Sequence, residues 1–167
     1  MRRTLAVLVG LSAVACAPKV MQVSLAPGDV DLATTMLGQG ASTIKGSALL
    51  RQRGGNVVTC AGNDVYPVPA TPSAGSELQR VFGGDKGYVA RGGGTFLGGG
   101  TLVEPPQPNR KSVCNAQGFF TFPNVRAGKW YVMTSIVWTV SDNYQGGSLL
   151  GSAEIADGQE AEIVLSQ

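Results

Sequence analysis

The chain has 167 residues, with 13 basic and 11 acidic side chains, three cysteines and no histidine. Without histidine there is no Ser-His-Asp or Cys-His nucleophile system, and the commonest general base and neutral metal ligand are missing. Charges of both signs are scattered, so no basic stripe exists to displace counterions from nucleic acid.

Arg2 and Arg3 precede an apolar run from Leu5 to Val14 that ends in Ala13-Val14-Ala15-Cys16. A cationic start, an apolar stretch and small residues before a cut predict a signal peptide over 1–15. Roughly ten helical residues rise about 15 Å, half of a bilayer core, so the run is too short to span. With Arg2 and Arg3 removed, 11 basic and 11 acidic residues remain. The mature chain is then neutral and lacks a polybasic membrane patch.

Ala13-Val14-Ala15-Cys16 resembles the lipobox of bacterial lipoproteins, which implies a lipidated Cys16 as the new N-terminus. Ala13-Val14-Ala15 also satisfies the A-x-A rule of ordinary secretion. The cysteine count favours the lipid. Three is an odd number for an exported chain, and acylating Cys16 leaves Cys60 and Cys114 as a pair able to oxidise. Residues 16–40 read as a lipidated N-terminus and tether, with a short strand over 20–25 and a brief helix over 29–36 capped by Asp29.

From residue 41 the pattern becomes short strands split by turn residues, the mark of a sandwich. Strands are predicted over 42–50, 56–60, 65–68, 119–122, 129–140, 148–155 and 160–165. On the longest, Trp130, Val132, Thr134, Ile136, Trp138 and Val140 share the face expected in the core. Ala161, Ile163 and Leu165 do the same on the last, and Phe120 and Phe122 alternate with Phe119 and Thr121. Residues 71–110 read as a glycine- and proline-rich insertion, a hairpin-like excursion in which Val81-Phe82 pairs with Thr95-Phe96-Leu97.

Three stretches carry a family likeness. Gly54 to Gly62 with Pro69-Ala70-Thr71, Asn115-Ala116-Gln117-Gly118-Phe119-Phe120-Thr121-Phe122, and Asn124-Val125-Arg126-Ala127-Gly128-Lys129-Trp130-Tyr131-Val132 resemble bacterial carboxypeptidase-regulatory-like (transthyretin-like) domains. Asp157-Gly158 and Glu162-Ile163-Val164-Leu165 are similar to the closing strand. The likeness implies a seven-stranded antiparallel β-sandwich of transthyretin-like or Ig-like Greek-key type. It also implies support, binding or adhesion rather than catalysis.

Sharper chemistry is sparse. Nothing around Lys45, Lys86, Lys111 or Lys129 makes a nucleophile motif, so no catalytic residue is expected. The run Gly92 to Gly100 lacks the Gly-Lys-Ser/Thr ending of a phosphate loop. Asp64, Asp85, Asp142 and Asp157 are spaced as turn formers, not as a calcium loop. Cys60 and Cys114 are expected as a disulfide, because two cysteines without histidine make a poor zinc site. No metal and no cofactor is expected.

Tyr88, Tyr131 and Tyr144 form the candidate binding surface, with Tyr144-Gln145-Gly146-Gly147 placed in a loop at the sandwich end. The expected function is that of a non-enzymatic lipoprotein of the cell envelope, in the outer membrane facing the periplasm or the cell surface. It would be held by lipid and act as a structural or protein-binding module on another envelope protein. The alternatives are a carbohydrate-binding module, which calls for coplanar exposed aromatics, and an accessory subunit of a surface or secretion assembly.

Overall fold

The computed structural model describes residues 25–90 and 110–167. The leader, Cys16, the strand expected over 20–25 (all but Leu25), Thr95-Phe96-Leu97 and the glycine triplets lie outside the described residues.

Two sheets face each other. One holds β1 (Ser42–Arg51), β2 (Val57–Thr59), β6 (Phe119–Val125) and β9 (Glu160–Leu165). The other runs in the order β4 (Gly87–Ala90), β8 (Asn143–Ile155), β7 (Gly128–Val140), β3 (Asp64–Pro69), β5 (Ser112–Val113). Ile44, Ala48 and Leu50 of β1 meet Trp130, Val132 and Ile136 of β7 in the core, with Phe120, Phe122, Leu149, Ile163 and Leu165. The predicted sandwich and its inner faces are thus present.

Among the described residues nine strands stand where seven were expected, and one pairing there is parallel: β1 runs beside β9 with Lys45 opposite Glu162. Glycine makes the inner layer fit. Gly151 on β8 sits where a Cβ would press on Leu165 and on Ile163 Cδ1, 2.7 Å away.

β2 and β6 lie end to end along one edge of β1. Leu49 pairs with Thr59 and Ser47 pairs with Phe119. Everything from Ala61 to Val113 leaves and re-enters at that junction, where Cys60 and Cys114 are bonded with Cα atoms 5.7 Å apart. The expected disulfide therefore closes the excursion. Gly118 turns the chain back at φ +87°, and its carbonyl accepts from the Ala48 amide at 3.1 Å.

The described first half of the excursion, residues 71–90, is more ordered than expected. Pro72–Phe82 is helix α2, so Val81-Phe82 ends a helix rather than forming a strand. The Thr71 hydroxyl caps it by accepting from Ala74 N, Pro72 opens it, and Gly83 closes it in the left-handed region at φ +79°. Ala74 and Leu78, four residues apart, turn toward Tyr131, Met133 and Leu150 on the outer face of the five-stranded sheet.

Helix α1 (Val30–Leu37) stands where a helix was expected, after a 3-10 turn over Pro27–Asp29. Leu25, Ala33 and Leu37 are buried. Asp29 is the N-cap residue by position, but its carboxylate accepts instead from Ser73 N at 2.7 Å and Ser73 Oγ at 2.5 Å. That latch joins the N-terminal segment to the first turn of α2 and holds the Asp29 carboxyl below its ordinary value.

Candidate functional site

The two helices cover only part of the five-stranded sheet. Their apolar contacts reach Tyr131, Met133 and Leu150, with Val68 and Phe82 at the margin. The next row along the strands lies beyond them. Continuing the recorded registers, it reads Val113, Asp64, Ser135, Ser148, Val89, one residue from each of β5, β3, β7, β8 and β4. Period-two alternation puts all five on the outer face.

The row is polar in the middle and apolar at its ends. Asp64 Oδ2 accepts from the Tyr66 hydroxyl at 3.0 Å and from Lys111 Nζ at 3.0 Å. The Lys111 ammonium lowers the Asp64 carboxyl from its usual value, with the Tyr66 hydrogen bond in support and partial burial opposed. Oδ1 of Asp64 takes no hydrogen bond among the described residues, so an ionised acceptor remains available. Ser135 is exposed, and its hydroxyl lies 2.8 Å from that of Ser148, which is 4% exposed. One proton serves that bond and the other hydroxyl proton is left to donate. Val113 is 55% exposed at the open edge.

Of the candidate tyrosines, only Tyr144 stays on the surface, at 64% exposure. It lies on β8 rather than in a loop, opposite Thr139, because the chain reverses earlier, at Ser141-Asp142. Both turn residues have positive φ, +45° and +63°, as a tight two-residue hairpin turn requires. Tyr131 is 5% exposed beneath α2, which explains why the surface expected of it is not there. Tyr88 points inward against the core and donates its hydroxyl to the Gly146 carbonyl at 3.0 Å. The three rings therefore do not form a shared aromatic platform.

Two aspartates expected only as turn formers do more. Asp64 begins β3 in the arrangement above. Asp85, just past α2, accepts from Lys129 Nζ at 2.5 Å and from the Tyr131 hydroxyl at 3.2 Å, stapling the helix exit to β7. Asp142 keeps its turn role. Val140, expected inside, is 47% exposed because the β7–β8 ribbon there outruns the neighbouring strands. Among the described residues no group of three or more His, Cys, Asp or Glu is placed to hold a metal. No described helix is long and apolar enough to cross a membrane.

No protein-family model matches the chain, and no curated protein matches it. Among solved structures it is similar to a protein of Pseudomonas aeruginosa, PA1324, provisionally described as carbohydrate-binding. The TM-score is 0.64 at 18% identity, covering 87% of this chain and 100% of that one. The likeness shows the fold: a mostly β, two-sheet sandwich with an attached helical layer.

Proposed function

We propose that this protein is a non-catalytic binding module of the bacterial cell envelope, anchored by lipid at Cys16, that recognises glycan on the open part of its five-stranded sheet. The observation that carries the reading is the row Asp64-Ser135 beside Lys111. Asp64 and Ser135 are hydrogen-bonding groups fixed on strands, with Lys111 just before β5, and they lie outside the helical cover. The candidate tyrosines give no stacking platform, so hydrogen bonding to these acceptors and donors takes the place of the aromatic criterion, with Val113 as a small apolar contact. The description of the Pseudomonas aeruginosa neighbour as carbohydrate-binding agrees with it.

The anchor sets the working distance. Cys16 and Leu25 are nine residues apart, so an extended chain between the lipid and the buried Leu25 spans about 30 Å at most. A longer tether would require residues 25–37 to leave their sites on α2 and the sheets.

Binding of the mature protein to an array of bacterial and plant oligosaccharides, with Asp64→Ala and Ser135→Ala beside it, tests the reading. Retained glycan that both substitutions weaken is the expected outcome. Glycan binding indifferent to both places the site elsewhere. A second reading, docking to another envelope protein, is favoured by Phe119 and Val164. They stand 53% and 61% exposed on the outer face of the other sheet, one on each side of Ser47. Crosslinking in intact cells that Phe119→Ser abolishes would support it.

A further inference from the structure

The open stretch of the row is short and electrically balanced. It crosses β5, β3 and β7 from Val113 through Asp64 to Ser135, about 10 Å at the usual strand spacing. Beyond Ser135 it closes, because Ser148 is nearly buried and serves as a positioning residue that aims the Ser135 hydroxyl. A pyranose ring advances along a chain by roughly one strand spacing, so each strand can present one group to each ring.

Charge narrows the ligand further. The Lys111 ammonium lies 3.0 Å from Asp64 Oδ2, and the pair cancels at the surface. A uronate or phosphorylated sugar laid on this stretch would bring a second anion to Asp64 while the adjacent cation is already engaged. A cationic amino sugar would have to compete with Lys111 for the same carboxylate. Uncharged hydroxyls meet neither obstacle. They can donate to Oδ1 of Asp64, and they can both accept from and donate to the serine pair. Charge-assisted hydrogen bonds of the first kind are the stronger ones.

We infer that the Val113-Asp64-Ser135 stretch takes an uncharged oligosaccharide lying across the strands, about three rings long, with Asp64 as its principal acceptor. This rests on the glycan reading above and names the chemistry of that ligand.

The test is a titration of the mature protein, followed by amide chemical shifts. The probes are glucose, mannose, galactose and N-acetylglucosamine oligomers of two to six rings, with galacturonate and glucosamine oligomers of the same lengths. A neutral series should shift the amides of Asp64, Val113 and Ser135, with affinity rising to about three rings and then levelling. Asp64→Ala should weaken it roughly tenfold or more, and Ser135→Ala severalfold. Ser135 is exposed, so the second variant reads the site even if the first fails to fold.

Charged oligomers that bind this stretch as tightly as neutral ones overturn the inference and leave the glycan reading standing. Affinity that is already maximal at two rings, or still climbing at six, overturns the crosswise footprint. Neutral oligomers that shift only other residues overturn the site, and silence from every probe overturns both the inference and the reading beneath it.

Discussion

Replacing Cys60 and Cys114 together by serine tests how the excursion is held. The bridge joins residues 54 apart in sequence, and both cysteines are buried. The backbone around it is bonded independently. Cys60 N donates to Ala48 O, Gly62 N to Cys114 O, and Cys114 N to Asn63 O, each at 3.0 Å. The native junction should therefore survive loss of the bridge, and most of the cost should arise from the freed unfolded chain. For a loop of this size the chain-entropy relation gives about 4 kcal/mol. At roughly 2–4 °C per kcal/mol for a domain of this length, the melting temperature should fall by about 8–16 °C.

Calorimetry of the double variant against the oxidised parent, in non-reducing buffer, measures this directly. Adding a reductant to the parent should reproduce the shift. A variant melting within about 2 °C of the parent would refute the reasoning, since it would mean that the unfolded chain gains little from being opened.

Other outcomes follow from the same packing. Leu78→Ala should cost about 2–5 kcal/mol in urea denaturation and expose Tyr131 to acrylamide quenching, because Leu78 is 1% exposed in the layer over that ring. Gly118→Ala should cost about 1–3 kcal/mol, since the residue sits at φ +87° and a Cβ there would lie 2.6 Å from Thr59 Cβ. An unchanged urea midpoint would count against that account of the junction. The carboxyls of Asp29, Asp64 and Asp85 are all held below the ordinary aspartate value, chiefly by their hydrogen-bond donors Ser73, Lys111 and Lys129. Depressed folded-state values confer stability that is full above the unfolded value and disappears as pH falls through the folded ones. Stability should therefore drop below about pH 4, and a triple Asp→Asn variant should lose less between pH 7 and pH 3 than the parent does.

Much of the sandwich could be read from alternation alone. Trp130 to Ile136, Phe120 and Phe122, and Ile163 and Leu165 all announce their inner faces with a period of two. Helix α2 escaped that reading because its buried stripe rests on Ala74 and Leu78, and a small alanine gives a weak periodic signal. Its punctuation was nevertheless present: Thr71-Pro72 at the start and Gly83-Gly84 at the end. Missing the helix had a second effect. Tyr131 lies on the outer face of β7, and without a cover it looked like a surface ring. The polar row was harder still. Asp64 is 49 positions from Val113 and 71 from Ser135, and the three meet only through strand register, which no single segment encodes. The parallel neighbour of β1 was likewise hidden, because the sequence of Glu160–Leu165 shows a strand but not its direction relative to a distant one.

That last pairing has a consequence for how the chain folds. The strand in the middle of the four-stranded sheet, β1, lacks one flank until Glu160–Leu165 is in place. Ile163 and Leu165 enter the core with β9, so that side of the hydrophobic layer stays open while β1 waits for a partner far along the chain. A contact of such long sequence separation forms late in folding, and removing Glu160–Leu165 would leave β1 without its parallel partner.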